Sequence, residues 1–310
     1  MASPFRFSVT SSGTTDPGAF VDLCKKAEDN GFSAVSMADH LDGQFAPLIA
    51  LTAAAGATTS LRLLSLVLAN DYRHPAILAK EATTLDQLSG GRLELGIGAG
   101  WMRSDYDQAG ITFERPGRRI DRLAEAVTVL KRAFSGQPVD FDGEYYQIAD
   151  LVNSPTPVRA EGIPLMIAGG GRKVLSLAAR EADIVGVNPG LAAGVIDERA
   201  GATATPSATD QKIEWITSAA GDRLDQIELQ TRVHLATITD DRLAMAEAMA
   251  PAFGLQPTEA LDSPHLLVGS EQQCIETLHQ WRERWGISYI GLSADAMDAM
   301  APVVAAVAGT

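Results

Sequence analysis

Asp39 and His40 stand together at the end of the short apolar run AVSMADH, and this pair suits proton transfer. An unperturbed imidazole titrates near neutral pH and can both give and take a proton in a reaction. The adjacent carboxylate has three roles open to it: orienting a ring, accepting from a ligand N–H, or capping the helix that follows. A hydrogen-bonded structural histidine is the plainer reading of His40, and the residues alone leave both open. RLELGIGAGW (92–101) raises a second question, because Gly96, Gly98 and Gly100 recur at every second position. Side chains alternate across a strand, so these glycines bare one face while Leu95, Ile97 and Ala99 keep the other apolar. Either backbone packs closely there, or something flat lies against the bare face. Ala168-Gly169-Gly170-Gly171, running into RKVLSLAAREA, forms a strand–glycine–helix junction. Free backbone N–H groups at such a helix start are a natural seat for an anion.

Other chemistries find little support. There is no GxGxxG, no GxxxxGK[ST] and no GxSxG. Cys24 and Cys274 lie far apart in helical-looking stretches and read as buried, reduced thiols. His234, His265 and His279 lack the spacing of metal ligands, so no metal is expected. His74 precedes Pro75, the expected first residue of a helix, and reads as structural. Asp105 and Asp107 look like a solvated loop pair. Asn70, Arg73 and Arg103 are candidate contacts for an anionic tail or substrate.

The elements that must position these residues alternate along the chain. Strand-like runs fall at 5–11, 34–40, 61–69, 92–100, 164–170, 183–188, 229–238 and 289–293. Helical periodicity fills the gaps, as at 17–31, where Phe20, Leu23, Cys24 and Ala27 form a stripe and Gly31 stops it. At 117–136, Ile120, Leu123, Ala126, Val127 and Leu130 share a face that closes at Gly136. Eight such units predict an α/β fold, a (β/α)8 TIM barrel of one domain over 1–310. Long stretches at 137–163 and 190–210 are expected insertions after strands four and six. The first reads as a hairpin turning at Asp142-Gly143. Trp281 and Trp285, one helical turn apart, read as core, and AMAPVVAAVAG as a docking helix.

The 310 residues carry 25 Lys+Arg against 39 Asp+Glu, a formal charge of −14. That balance disfavours nucleic acid or an anionic membrane as partner, since both require a basic face. The first residues lack the apolar core of a signal peptide, so a cytoplasmic protein with a small-molecule substrate is expected.

GFSAVSMADHL (31–41), YRHPAILAKEATTLDQLSGGRLELGIGAGW (72–101), GRRIDRLAEAVTVLKRAF (117–134) and IPLMIAGGGRKVLSLAAREADIVGVN (163–188) together resemble the bacterial luciferase-like flavin and deazaflavin oxidoreductases. The resemblance covers most of the first 190 residues and weakens beyond. It implies a cofactor ring at the C-terminal mouth of the barrel, with the glycine face of strand four making room for it. It also implies a non-proline cis peptide at the end of strand three, placed at Ser65-Leu66, backing the ring. The Asp-His pair and the AGGG and GAGW runs are closer to the branch using coenzyme F-420 (F420), with FMN as the alternative. On that reading His40 is the general acid/base, Asp39 contacts the ring or positions His40, and Gly98, Ala99 and Gly100 line the ring. Ala168, Gly169, Gly170 and Gly171 hold the phosphate of the cofactor tail. The implied reaction is hydride transfer between the deazaflavin and an organic substrate. With FMN it would be a reduced-flavin monooxygenase fed by a separate reductase. A non-catalytic flavin-binding protein is a third reading, against which the intact Asp39-His40 pair argues. Sugar-phosphate dehydrogenases of the family carry Glu where this chain has Trp101 and Trp where it has Gln44. Trp101 therefore joins the site as an apolar stacking wall for a larger or more apolar substrate. The family resemblance also implies a homodimer built on the helices after strands two and three.

Overall fold

The computed structural model describes residues 3–310. Its strands are β1 (Arg6–Ser11), β2 (Ala34–Met37), β3 (Arg62–Ser65), β4 (Leu68–Ala69) and β5 (Leu93–Gly98). A hairpin of β6 (Val139–Asp142) and β7 (Gln147–Leu151) precedes β8 (Leu165–Gly169), β9 (Ile184–Val187) and β10 (Glu228–Arg232). β11 (Leu235–Ile238) and β12 (Leu266–Gly269) form a separate parallel pair, and β13 (Ile287–Ser293) closes the series. β3 and β4 are one interrupted stave. The order β1-β2-β3/β4-β5-β8-β9-β10-β13 returns to β1, with every neighbour parallel. This is the expected eight-stranded barrel.

The helices are α1 (Pro17–Asp29), α2 (Pro47–Ala57), α3 (Pro75–Ser89), α4 (Arg103–Ala109), α5 (Pro116–Phe134) and α6 (Arg172–Glu181). They continue with α7 (Glu198–Ala202), α8 (Pro206–Ala220), α9 (Arg242–Met249), α10 (Pro257–Leu261), α11 (Glu271–Trp285) and α12 (Met297–Val307). Local chemistry explains their starts. Asp16 accepts from the Ala19 N–H ahead of α1, and His74 accepts from the Ala76 N–H ahead of α3, each with Pro as first helical residue. Their buried stripes, such as Phe20, Cys24 and Ala27, pack on the outward apolar residues of the staves. Both cysteines are buried, as are Trp281 and Trp285, and α12 buries Met300, Val303 and Val304. No helix among the described residues is long and apolar enough to cross a membrane.

The barrel interior decides which end is open. At its N-terminal end Arg6 bonds Glu94 at 2.6 Å and Glu228 at 2.7 Å, while Arg62 also reaches Glu94 and Tyr289 donates to it. Ala34, Leu64, Met166, Ala168, Ile184 and Tyr289 pack in a second interior cluster. The polar plug and this cluster seal the bottom, leaving the C-terminal mouth as the face where loops gather.

Four details differ from the sequence reading. The hairpin turns over Gly143–Tyr146, with Asp142 paired to Gln147. Glu125 of α5 accepts the amides of Glu144, Tyr145 and Tyr146, and this anchor sets the wider turn. The run 229–238 breaks between β10 and β11. Val233 donates to Gly291 of the barrel, whereas His234 donates to His265 and so leaves it. The strand at 266–269 was not anticipated. Finally, the non-proline cis peptide is Leu66–Val67, one residue beyond the expected Ser65–Leu66.

Candidate active site

At the end of β2 the two candidate residues take different partners. Asp39 is buried, and both its oxygens are used. Oδ2 accepts from the Ala69 amide at 3.0 Å and from Arg73 Nη1 at 2.5 Å, and Oδ1 from Arg73 Nη2 at 3.1 Å. This two-pronged pair ties the end of β2 to the segment after β4. Arg73 is thereby committed inside the protein, as is Asn70, which donates to the Tyr146 hydroxyl.

His40 turns to Asp105 instead. Its Nδ1 lies 2.7 Å from Asp105 Oδ2, and the carboxylate is only 1% exposed. A carboxylate oxygen accepts, so Nδ1 is assigned the donating N–H of this pair, and in a neutral imidazole Nε2 is then the acceptor. Nε2 has no partner among the described residues, and the His40 side chain is partly open to solvent. Trp101 meets the imidazole edge-on, with ring centroids 5.7 Å apart and planes at 89°. Asp105 Oδ1 is buried without a partner.

Asp105 corrects the expectation of a solvated pair. α4 brings Asp105 and Tyr106 inward, while Asp107 stays outside and pairs with Arg103. The signal lay in the helical spacing of Met102, Asp105, Tyr106 and Ala109, which share a face that excludes Arg103 and Asp107. Tyr106 seats the helix by donating to Asp71 and lying against the Ala99 carbonyl, and Arg122 holds Asp71 at 2.8 Å.

The glycine face of β5 also has a different occupant from the one expected. A Cβ on Gly96 would fall 1.8 Å from the Ser65 carbonyl oxygen, and one on Gly98 would fall 2.8 Å from Val67. The space beside Gly100 is filled by the Tyr106 hydroxyl. These glycines make room for the chain itself. Ser65, expected to back the ring, is fully buried, and its hydroxyl bridges the Gly96 amide and carbonyl. Leu66 and Val67 are the half-buried residues of this stretch, and they pack against the interior cluster. At the start of α6, Gly169 accommodates Val174 and Gly170 accommodates the carbonyls of Asn188 and Pro189. Only Gly171 opens on free space, at the N-cap where the first amides of α6 have no helical partner. The 190–210 segment crosses above α4, with the Gly194 carbonyl accepting from Arg103 N–H.

Residues 1–289 match the family described as luciferase-like monooxygenase. A protein of Nakamurella multipartita named F420-dependent glucose-6-phosphate dehydrogenase is 29% identical over 266 residues, which is 83% of this chain and 75% of the relative. The solved structure of an F420-dependent secondary alcohol dehydrogenase, in complex with an F420-acetone adduct, superposes with a TM-score of 0.79 at 19% identity. It covers 98% of this chain and 99% of the other. The monooxygenase RslO1 of Streptomyces bottropensis follows at 0.76 and 18% identity, covering 97% and 99%. At these identities the two structures establish the shared barrel.

Proposed function

The chain belongs to the luciferase-like monooxygenase family, and from that premise we propose that it is an F420-dependent oxidoreductase in which His40 carries the proton. The observation that carries this reading is the Asp105–His40 pair, which leaves Nε2 free at the barrel mouth. The F420-dependent name of the relative from Nakamurella multipartita supports the choice of cofactor.

The residues present fit such a group. Leu66 and Val67 offer an apolar surface in an otherwise buried stave, and the open N-cap at Gly171 suits an anionic tail. A bound deazaflavin supplies hydride transfer at a carbon centre, and the protein supplies orientation and proton handling. In this reading Gly98, Ala99 and Gly100 contribute backbone to the wall of the ring site. Ala168, Gly169, Gly170 and Gly171 line the path of the tail. Asp39 acts through Arg73 and Ala69, fixing the strand end that bears His40. Asp105 keeps the proton on Nδ1, so that Nε2 accepts the proton of an alcohol, or returns it when the substrate is reduced. Trp101 closes one side of the substrate space with an apolar face. That wall is why the substrate of this chain is taken to be more apolar than a sugar phosphate.

Purified protein incubated with oxidised or reduced F420 and a panel of alcohols, enones and imines tests the assignment. His40→Ala should lose about a hundredfold or more in rate, the scale of general acid/base catalysis, while still binding F420. Equal rates in variant and wild type would remove His40 from the reaction and favour a simple binder. We further propose a homodimer through α2 and α3, where Ile49 is 75%, Ile77 59% and Leu88 65% exposed.

A further inference from the structure

We propose that Arg232 receives the carboxylate of an amphipathic monocarboxylic substrate, across the mouth from His40. Arg232 ends β10 and shares a strand face with Glu228 and Gln230. Both of those point inside the barrel: Glu228 bonds Arg6, and Gln230 is fully buried with its amide against Gly291. By alternation Arg232 also faces inward, one step nearer the mouth. The one hydrogen bond of its side chain among the described residues runs from Nη2 to Ser293 Oγ at 3.2 Å. Thr10, paired in register with Ser293, continues a band of hydroxyls to Ser36 at 2.9 Å.

No carboxylate among the described residues lies within ion-pair distance of this guanidinium. The other arginines beside the candidate site have acids: Arg73 has Asp39, and Arg122 has Asp71 and Glu114. Arg119 lacks one, but it is sealed in the core with its guanidinium 3.9 Å above Phe113. Arg232 is half-buried rather than sealed in the core. Asp295 is near enough to feel its charge, without bonding it. Lys212 of α8 spends its ammonium on the carbonyls of Asn188 and Thr203. His265, bonded to the Arg232 carbonyl, is held neutral by burial. Beside these, Arg232 keeps charged N–H groups unspent, which suits one anionic group.

An inward guanidinium with no directly bonded carboxylate is poorly compensated until an anion arrives, and its planar fork fits a carboxylate. β10 and β2 are separated by β13 and β1, three inter-strand steps, or about 14 Å along the wall at ~4.8 Å each. A substrate reacting at His40 and anchored at Arg232 needs several carbons between the two ends. Trp101 beside His40, with Leu66 and Val67 on the stave next to β2, gives the His40 end of that span apolar surface. The inference rests on the F420 reading only for placing the reacting carbon at His40.

The test compares hexanoate and 3-phenylpropanoate with hexanamide and 3-phenylpropanamide, followed by tryptophan fluorescence and thermal shift. Wild type, Arg232→Gln, Arg232→Lys and Ser293→Ala are each used with and without F420. Wild type should bind the acids about tenfold tighter than the amides, the scale of one charge-assisted hydrogen bond. Arg232→Gln should abolish that preference and leave F420 affinity unchanged. Arg232→Lys should restore part of it, and Ser293→Ala should weaken it. Acids binding no better than amides in wild type would overturn the proposal. So would an equal loss of F420 affinity in Arg232→Gln, since the guanidinium would then serve the cofactor. If wild type fails to bind F420, the cofactor reading falls, while the acid preference is still read on the free protein.

Discussion

Asp105 governs which nitrogen of His40 meets the substrate, so its loss should act on catalysis more than on binding. Asp105→Asn can present its own N–H to Nδ1 and turn the imidazole to the wrong tautomer. Turnover should fall about tenfold or more, with a shifted pH profile and unchanged F420 affinity, and Asp105→Glu should recover part of it. An unaltered pH profile would assign the aspartate a purely structural part. Nothing in RSDYD taken as a loop separates Asp105 from Asp107, because burial of one follows from the way α4 folds back. Asp39 and His40 were legible from their place at a strand end. Their partners were not, since Arg73 reaches Asp39 from the segment after β4 and Asp105 reaches His40 from α4. A second residue-scale outcome concerns stability. Burial and the neighbouring His234 hold His265 down to about 3, below the ~6.5 of an unfolded histidine. Between those values the unfolded chain binds more protons than the native state. Stability from this residue is therefore complete above pH ~6.5 and is lost as pH falls toward 3. His265→Asn should flatten the acid limb in urea unfolding measured from pH 7 to 4. An unchanged limb would contradict this.

At the scale of elements, the alternating glycines of β5 and the glycines before α6 do different work. Gly96→Ala places a methyl 1.8 Å from a backbone oxygen, so β5 must move away from β3. The expected cost is about 1–3 kcal/mol or more in denaturant unfolding. Gly171→Ala meets nothing within 4 Å. It should fold with wild-type stability and bind F420 more weakly, because the methyl enters the space assigned to the tail. Unchanged F420 affinity would move the tail elsewhere. The spacing of the glycines could be read from RLELGIGAGW, but their occupant could not, since it comes from 65–67 and from Tyr106. LQTRVHLATI shows the same limit. Its alternation is continuous, and only hydrogen-bond partners far along the chain show that β10 joins the barrel while β11 joins β12.

For the whole molecule, the closed barrel was legible because strand and helix patterns alternate eight times. Parallel staves joined by helices close in few ways. The assembly leaves its mark on the outer surface instead. Ile77→Glu on α3 puts a charge into the proposed interface and should shift the protein toward monomer in light scattering after size exclusion. An unchanged mass would move the interface away from α3. The cofactor governs every functional inference, and one titration addresses it. Wild-type protein is titrated in parallel with oxidised F420 and with FMN, following tryptophan fluorescence, with Trp101→Phe as control. Trp281 and Trp285 are buried and Trp215 is half-buried on α8, while Trp101 is half-buried beside His40 and should carry the part of the signal that Trp101→Phe removes. Saturable quenching by F420 at micromolar or lower concentration is expected, with much weaker quenching by FMN and a reduced signal in the variant. Selective binding of FMN would contradict it and make the protein a flavin monooxygenase in need of a reductase.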